Sequence, residues 1–376
     1  RSCRMLEIIF LIALSGYFIQ SVLFIIGASR KFPKSISAIL PKATVIVAAR
    51  NEEKNILKCL NSLDSIDYPE GKLEVILVDD KSTDSTGKII DEFICGKPKF
   101  KKIITKKEIG RLKGKTNALA NALDVAAGEI ILTTDADCTA SPSWVKAPVS
   151  YYTDNVAAVT GFTTQIAEGN FAGMQAVDFI YLLFVASGTI NLGTPISCIG
   201  NNMSYRKSAY NEVGGYESLP FSVTEDFNLL NAIWKLRKYK IIAPLDKDAM
   251  VKSLPCGSVK ELFRQKKRWA VGGIGVPLPG YLLFIFGFVT NFCAFITPLV
   301  LLNFFSSFAA AGTWIYMVFF KIVIDFFVLY PIHNRLGILK NLKYFLTFEL
   351  YYIIYVTALP FVLFSNRTVI WKERKY

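Results

Sequence analysis

The sequence predicts an α/β domain built on a parallel sheet, with membrane-spanning helices at both of its ends. Three observations lead to this fold class: a strand–helix alternation within residues 42–270, an apolar segment at residues 6–28, and further apolar segments after residue 280. Composition agrees, since hydrophobic residues make up 52% and aromatic residues 14% of the 376 residues. These fractions are high for a water-soluble protein and indicate contact with lipid.

Residues 1–30 are predicted to hold the first membrane helix. The apolar stretch 6–28 is long enough to cross a bilayer, although Glu7 lies near its start. A signal peptide is the alternative, but the segment is long and has no obvious small-residue cleavage site. The basic stretch SRKFPK follows at once and, by the positive-inside rule, predicts that the next part of the chain is cytoplasmic.

Residues 42–270 alternate short apolar runs with helical patterns. The predicted strands are ATVIVAA, KLEVILVDD, KKIITKK and EIILTTDAD. Each is a short continuous run of the kind found in buried parallel strands, and helical patterns separate them. This alternation predicts a parallel sheet with helices on both faces. In such sheets, ligands bind beyond the carboxyl ends of the strands.

Two acidic pairs lie at ends of predicted strands, so both are expected in that crevice. Asp79 and Asp80 end one strand, and Asp135 and Asp137 end another. Residues i and i+2 of an extended chain point the same way, which places the last two carboxylates side by side. Close carboxylates are costly unless a cation lies between them, and oxygen ligands suit Mg2+ or Mn2+. For a D-x-D motif alone, a solvated loop is the alternative interpretation.

Two further motifs follow the predicted strands. Residues 224–226 (Thr-Glu-Asp) precede an amphipathic helix, where acidic residues are also typical of an N-terminal cap. Gln265, Arg268 and Trp269 are spaced i, i+3 and i+4, so they share one helix face. Such a face is suited to hold a diphosphate and to stack on a sugar ring. A basic amphipathic helix on anionic lipid is the alternative, and it is compatible with that role.

Charge and residue usage exclude several function classes. The formal net charge is +13, which fits either a nucleic-acid binder or a protein on anionic lipid that handles phosphorylated substrates. The Lys-rich stretch 97–115 is explained by phosphate or lipid contact, so no nucleic-acid partner is expected. The single histidine, His333, is predicted in a loop between apolar segments, which excludes Ser-His chemistry. Seven cysteines without a C-x-x-C pair predict reduced thiols and no zinc site.

The C-terminal part is predicted to consist of an interfacial segment at 271–280, about three membrane segments within 281–364, and a basic tail at 365–376. Three complete crossings would place the tail outside, against the positive-inside rule. Either one segment is re-entrant or the tail breaks the rule.

Charged residues within the predicted membrane segments require partners. Lys321 and Asp325 stand one helical turn apart, which predicts that they pair with each other. Glu349 is the third such charge.

The motifs, taken in order, carry a resemblance to a known family. They are Asp79-Asp80, Asp135-Ala136-Asp137, Thr224-Glu225-Asp226 and Gln265-Lys266-Lys267-Arg268-Trp269. Residues 42 to about 275 resemble membrane-integrated glycosyltransferase family 2. That family includes cellulose, hyaluronan, chitin and poly-N-acetylglucosamine synthases, and glycolipid synthases such as ceramide glucosyltransferase. The resemblance implies a GT-A fold, a nucleotide-sugar donor and hexosyltransferase activity.

The resemblance also implies a role for individual residues. Asp135 and Asp137 would bind the donor diphosphate through Mg2+ or Mn2+. Asp226 would be the general base, with Glu225 in the same pocket. The other residues implied in donor binding are Glu52, Asp79, Asp80, Lys115, Gln265 and Arg268, and those implied at the acceptor site are Gly200, Asn201 and Trp269. Arg50 stands where many relatives have an aromatic residue that stacks on uracil, so UDP is expected but not assured.

A single direct displacement would invert the anomeric centre and give a β-linked product. The acceptor is expected to be a membrane lipid or a growing glycan, because the apolar stretch 171–193 predicts a buried or interfacial helix near the bilayer. The small number of membrane segments favours a glycolipid synthase over a processive polysaccharide synthase. An inactive scaffold is disfavoured because every acidic motif is intact. A transporter is disfavoured because the spans are few and lack paired polar breaks.

Overall fold

The computed structural model describes residues 2–35, 40–105, 108–153, 155–303, 308–365, 368–371 and 374–375. Within these ranges the chain forms an α/β domain and a set of long apolar helices packed on it. The helices and strands, in chain order, are α1 (Ser2–Ala28), β1 (Ala43–Ala49), α2 (Ile56–Asp64), β2 (Leu73–Asp79), α3 (Thr86–Ile94), β3 (Phe100–Ile104), α4 (Gly114–Val125), β4 (Ile130–Asp135), β5 (Thr139–Ala140), α5 (Lys146–Val149), β6 (Val156–Thr160), β7 (Thr163–Gln165), α6 (Gly169–Asn191), β8 (Met203–Arg206), α7 (Lys207–Glu212), α8 (Glu225–Lys235), β9 (Lys240–Ile242), β10 (Val251–Ser253), α9 (Val259–Gly272), α10 (Leu278–Asn303), α11 (Phe308–Arg335), α12 (Phe345–Ser365), β11 (Ile370–Trp371) and β12 (Arg374–Lys375).

A seven-stranded sheet in the order β3-β2-β1-β4-β8-β6-β9 forms the centre of the α/β domain. β1 pairs in parallel with β2 and β4, and β2 pairs in parallel with β3, which confirms the predicted parallel sheet for this half. β8, which the sequence did not identify as a strand, pairs antiparallel with β4 and β6, so the complete sheet is mixed. Thr133, near the end of β4, donates a hydrogen bond to the carbonyl oxygen of Gly200 just before β8. The chain therefore enters β8 from the edge at which β4 ends, and it must run in the opposite direction.

Helices cover both faces of this sheet, as the sequence predicts. α4 and α8 pack on one face through fully buried residues such as Ala118 and Leu229. α2 and α3 pack on the other face through Leu60 and Ile90. A sheet covered on both sides requires apolar residues at every position of its central strands, which explains the continuous run in β1. A smaller sheet in the order β5-β10-β7 lies beside the main one.

By length and composition, five helices in the described part of the chain are suited to cross a membrane: α1, α6, α10, α11 and α12. Four of them contain the apolar stretches that the sequence assigns to membrane segments. The fifth, α6, differs in burial, because 72% of its most apolar window is buried, against 22% to 39% in the others. Composition alone does not separate a spanning helix from one covered by protein.

Both ends of α6 are fixed to the α/β domain. Near its start, the side-chain amide of Gln175 donates to the carbonyl oxygen of Cys256 at 3.2 Å. At its end, the Asn191 side chain bonds both the carbonyl oxygen and the amide of Ala243, at 3.0 and 2.8 Å. A helix of 23 residues is about 34 Å long, so α6 runs along the domain. This agrees with the predicted buried helix.

The end of α1 packs closely on α6. A Cβ atom on Gly27 would lie 2.2 Å from the backbone carbonyl oxygen of Gly188, so a larger residue at this position would force the two helices apart. Asn191 also donates to the carbonyl oxygen of Gly27 at 3.0 Å. The C-terminal end of α1 is thereby held against the α/β domain.

The prediction that His333 lies in a loop is wrong. The helix α11 continues through Pro331 to Arg335, and His333 is fully buried in its last turns. Its Nδ1 lies 2.8 Å from the carbonyl oxygen of Leu329. The buried side chains of Ile332 and Leu336 hold these turns in the apolar core, which maintains the helix beyond the proline.

The predicted pair between Lys321 and Asp325 is confirmed, with 2.9 Å between the ammonium and a carboxylate oxygen. Glu349 of α12 joins them at 2.5 Å from the same ammonium. The charged residues that the sequence identifies in the apolar segments therefore form one cluster, which joins α11 to α12.

Candidate active site

A cavity of about 700 Å³ opens beyond the carboxyl ends of β1, β2 and β4. Among its lining residues are Glu52 after β1, Asp80 after β2, and Asp135 and Asp137 at the end of β4. The expected convergence of polar strand ends on one crevice is therefore present.

The D-x-D motif forms a compact group of possible metal ligands. One ligand atom from each of Asp135, Asp137 and Cys138 lies within 4.8 Å of the others. The predicted closeness of the carboxylates is present, but its cause differs from the expected extended chain. β4 ends at Asp135, and a turn follows, in which the Cys138 amide donates to the Asp135 carbonyl oxygen at 3.1 Å.

Cys138 is a member of this group that sequence reasoning missed. Its thiol donates to a carboxylate oxygen of Asp137 at 3.4 Å. Burial, together with the neighbouring charges of Asp137 and Asp135, raises the pKa of the Cys138 thiol well above its ordinary value. Without a bound cation, this shift favours the protonated thiol, and the two carboxylates are the oxygen donors of the group. Cys138 directly follows the D-x-D motif in the sequence, and this adjacency is the signal by which it could have been found.

Lys115 connects two of the acidic motifs. It lies in the first turn of α4, and its ammonium is 2.6 Å from Asp135 and 3.2 Å from Glu225. Burial alone would lower the pKa of Lys115, but the charges of Asp135 and Glu225 outweigh it and raise that pKa. The lysine is therefore a fixed cation at the centre of the site. Gly114, with φ of +57°, allows the tight entry into the helix.

Glu225 and Asp226 lie in the first turn of α8 and line the cavity. A carboxylate oxygen of Asp226 accepts a hydrogen bond from the Phe227 amide at 2.8 Å. Burial and, next, the charge of Glu225 raise the pKa of Asp226 to about 6. The side chain of Thr224 makes no capping bond, so capping by threonine does not explain the motif. A half-buried carboxylate that titrates near neutrality is suited to accept a proton.

Gly200 lies against this carboxylate, and Gly200 and Asn201 belong to a short 3₁₀ turn before β8. A Cβ atom on Gly200 would lie 3.0 Å from a carboxylate oxygen of Asp226, so the glycine leaves room for that side chain. The side-chain oxygen of Asn201 accepts a bond from the Thr163 hydroxyl at 2.8 Å.

Gln265, Arg268 and Trp269 lie on one face of α9, as predicted, and all three line the cavity. The Trp269 ring stacks on Phe179 of α6 with 5.6 Å between ring centroids. Lys266 points elsewhere and forms a buried ion pair with Asp178 of α6. The α9 helix is thus held by α6 while its polar face is directed into the cavity.

Asp79 and Asp80 are placed differently from each other. Asp80 lines the cavity, and its carbonyl oxygen accepts a bond from Arg50 at 2.9 Å. The Asp79 carboxylate accepts a bond from the Ser82 amide at 3.0 Å and lies against Gly87. Within the described residues, Asp79 is not part of the cavity lining. Its carboxylate holds the loop after β2, and its role in donor binding stays a prediction.

The cavity continues from these carboxylates into the apolar helices. Side chains of α1, α10 and α12 line this second end, among them Tyr17, Phe24, Phe284, Phe288, Tyr352 and Leu359. Sequence reasoning missed all of them, because an apolar helix pattern does not distinguish a cavity-facing residue from a lipid-facing one.

Two family profiles match the chain. The profile described as glycosyl transferase family 2 matches residues 44–214, and the one described as glycosyl transferase family group 2 matches residues 130–364. Together they cover the α/β domain and most of the apolar helices after it.

The chain is also similar in sequence to relatives that are glycolipid and polysaccharide synthases. The chain is 29% identical over 248 residues to a beta-monoglucosyldiacylglycerol synthase of Nostoc sp., covering 65% of this chain and 51% of the relative. It is 27% identical over 232 residues to a poly-beta-1,6-N-acetyl-D-glucosamine synthase of Staphylococcus epidermidis, covering 61% and 53% respectively. The chain thus matches about half the length of these relatives.

A solved structure shares the fold over nearly the whole chain. It is a mannosyltransferase from Pyrobaculum calidifontis in complex with GDP-Man and Mn2+, with a TM-score of 0.62 and 20% identity. The likeness covers 92% of this chain and 99% of that one. The predicted GT-A fold with apolar helices at both ends is confirmed.

Proposed function

Since this chain belongs to glycosyl transferase family group 2 and is a glycosyltransferase, we propose that it transfers a hexose from a UDP-sugar to a hydroxyl group of a membrane lipid, giving a β-linked glycolipid. The observation that carries the proposal is the cavity of about 700 Å³, whose two ends differ in chemistry. Carboxylates line the end at the sheet, where a nucleotide sugar is suited to bind. Apolar side chains line the other end, where a lipid is suited to bind.

The donor is assigned to the sheet end of the cavity. Asp80, Glu52, Arg268 and Gln265 line this end. We assign Asp80 and Glu52 to the nucleoside, as hydrogen-bond acceptors, and Arg268 and Gln265 to the diphosphate. The position of Asp79 supports an indirect role for this residue, through the loop that follows β2.

The residues at the end of β4 fit a divalent cation. Two carboxylates and a thiol lie within 4.8 Å of one another, and the hard oxygen donors of the carboxylates suit Mg2+ or Mn2+. Asp135 and Asp137 would hold the ion. When bound, it would supply positive charge that stabilises the leaving diphosphate.

In the proposed reaction, Asp226 accepts the proton of the acceptor hydroxyl while the hydroxyl oxygen forms a bond to the anomeric carbon. The bond from that carbon to the diphosphate breaks, and its electron pair leaves with the diphosphate. Arg268 and Lys115 supply fixed positive charge on that side of the cavity. A direct displacement of this kind inverts the configuration and needs no covalent intermediate.

The α/β domain is proposed to lie on the cytoplasmic face, with α1, α10 and α11 crossing the bilayer. Support for the orientation comes from the basic stretch after α1. Both flanks of α12 approach the domain: Tyr344 donates to the Ala167 carbonyl oxygen at 3.3 Å, and β11 contacts α9. We therefore propose that α12 is the re-entrant segment, which would leave the basic tail on the cytoplasmic side.

The experiment that tests this function is a product analysis in lipid nanodiscs. The purified chain is supplied with a panel of labelled nucleotide sugars and Mn2+ or Mg2+, and the product is extracted and sized. We expect a small product that enters the organic phase and carries one β-linked hexose. A water-soluble product of high mass would favour the alternative, a processive synthase of a β-linked polysaccharide. No transfer from any donor would contradict both.

The pKa of Asp226 leads to a prediction about pH. Because the base must be deprotonated, kcat/KM should fall as the pH drops below about 6. The charge of Glu225 raises this pKa, so the Glu225→Gln variant should move the acidic limb to lower pH. The measurement is the pH profile of kcat/KM at saturating metal.

The matched control for this prediction is Glu217→Gln, which removes an exposed carboxylate near the same helix. Its acidic limb should coincide with that of the unmodified protein. If the acidic limb of the Glu225→Gln variant stayed at the same pH or moved to higher pH, Asp226 would not be the titrating base.

A further inference from the structure

Lys266 of α9 lies at a junction of three helices beside the cavity. Its ammonium forms the buried ion pair with Asp178 of α6. The same ammonium lies 4.7 Å from the centre of the Trp269 ring and 5.2 Å from the centre of the Tyr355 ring on α12. Both rings belong to side chains that line the cavity. Lys266 therefore contacts two parts of the cavity wall, although it is itself buried.

Asp178 depends on Lys266 for the compensation of its charge. The two side chains are only 2% and 4% exposed, respectively. Within the described residues, the second carboxylate oxygen of Asp178 has no hydrogen-bond partner. Taking two charges out of water is costly, and replacing such a pair by apolar side chains of similar size is often neutral or stabilising. The stability of the fold is therefore a weak explanation of this pair.

The face of α6 that carries Asp178 also holds the segment before α9 and the Trp269 ring. Three residues before Asp178, the Gln175 side chain accepts a bond from the Cys256 amide at 2.9 Å and donates to the Cys256 carbonyl oxygen at 3.2 Å. One residue after Asp178, the Phe179 ring stacks on Trp269. Residues three and four apart share a helix face, so these contacts lie along one side of α6. The α6 helix is thus the support on which the indole rests.

The end of α9 is held by other contacts. The Arg268 guanidinium donates to the carbonyl oxygen of Val223 at 3.3 Å. A Cβ atom on Gly272 would lie 2.3 Å from the Thr224 side chain, so the helix and the segment before α8 touch there. Loss of the ion pair would leave these contacts in place. Its effect should therefore fall mainly on the Trp269 indole.

We propose that Asp178 and Lys266 are positioning residues for sugar transfer, because their ion pair fixes the place of the Trp269 indole in the cavity. Among the described residues, neither of the two lines the cavity itself. The carboxylate holds the ammonium, and the ammonium attracts the face of the indole that Phe179 supports. The inference deepens the proposed function and rests on it, with Trp269 assigned to the acceptor site.

The test replaces the ion pair by apolar side chains, in the double variant Asp178→Leu/Lys266→Met. This variant should keep the melting temperature of the unmodified protein, because apolar side chains of similar size replace the pair. In lipid nanodiscs, kcat/KM for the acceptor lipid should fall by roughly 10²-fold, the loss that a misplacement of about 1 Å causes. The affinity for UDP with Mn2+, measured by calorimetry, should change little, because Asp80 and Glu52 lie on other elements.

A double-mutant cycle tests whether the pair acts through Trp269. The Trp269→Ala variant is made alone and together with the apolar double variant, and kcat/KM is compared among the four proteins. Without an indole to position, the apolar double variant should cause little further loss. A merely structural role of the pair would give the same loss with and without Trp269.

Glu212→Leu/Lys238→Met is the matched control, because it replaces an ion pair at the surface by the same two apolar residues. Both residues lie outside the cavity lining of the described chain. Its kcat/KM and its UDP affinity should equal those of the unmodified protein.

Asp178→Asn is a second variant, which removes the charge but keeps the size of the side chain. It takes the place of the apolar double variant if that protein does not fold. Its kcat/KM for the acceptor lipid should fall as well.

Four results would overturn the inference. They are an unchanged kcat/KM in a folded variant, an equal loss with and without Trp269, a parallel loss of UDP affinity, and a loss of melting temperature that accompanies the loss of activity in both Asp178 variants. The last result would assign the pair to stability. Absence of transfer to lipid by the unmodified protein would instead contradict the proposed function, and it is observed before any variant is compared.

Discussion

Replacing Asp226 with asparagine should lower kcat for sugar transfer by roughly 10²–10⁴-fold, the range for loss of a general base. The amide keeps the size of the side chain and can still accept the hydrogen bond from Phe227, but it cannot take a proton at neutral pH. Nucleotide affinity should change little, because the assigned donor contacts lie on other elements. Single-turnover kinetics measure the first effect, and calorimetry with UDP measures the second.

Asp248→Asn is the matched control for this variant. Asp248 also lies in the first turn of a helical segment, but it is exposed. Its variant should transfer sugar at the unmodified rate. If Asp226→Asn instead weakened UDP binding and left single-turnover chemistry intact, Asp226 would be a donor ligand and the base would have to be sought elsewhere.

The sheet half that carries the donor-side residues could be predicted from the sequence because its signals are local. Short apolar runs that end in acidic residues place Asp80, Asp135 and Asp137 at one edge without any knowledge of distant contacts. Adjacent residues on a strand point to opposite faces, and this alternation explains why Asp79 and Asp80 separate.

The direction of β8 could not be predicted locally. It depends on Gly200 reaching the end of β4, a contact between residues far apart in the chain. The loop predicted at His333 failed for a similar reason. Proline and polar residues favour a helix end, but the buried side chains around them maintain the helix in the folded chain.

The apolar end of the cavity was beyond sequence reasoning altogether. Tyr17, Tyr181 and Tyr352 come from helices separated by more than a hundred residues, and each resembles an ordinary residue of an apolar helix. Only their partner Asp325 carried a signal, as a charge in an apolar segment that requires compensation. The sequence identified its pairing with Lys321 but not the tyrosine that shares it.

Replacing Asp137 with asparagine should reduce turnover by at least about 10³-fold, since stabilisation of a leaving group by fixed or bound charge contributes several kcal/mol. The change removes one of two carboxylates in the compact group at the end of β4. Mn2+ affinity should fall with it, because the amide oxygen is a weaker ligand than a carboxylate. Electron paramagnetic resonance of free Mn2+ measures that affinity directly and needs no turnover.

Asp67→Asn provides the control, because Asp67 is exposed and lies outside the cavity lining of the described residues. It should bind Mn2+ and transfer sugar as the unmodified protein does. Unchanged Mn2+ affinity in Asp137→Asn together with lost turnover would assign Asp137 to substrate contact instead of metal binding. Normal turnover would remove the D-x-D motif from the mechanism. The fixed charge of Lys115, which already lies 2.6 Å from Asp135, would then be the main stabiliser of the leaving diphosphate.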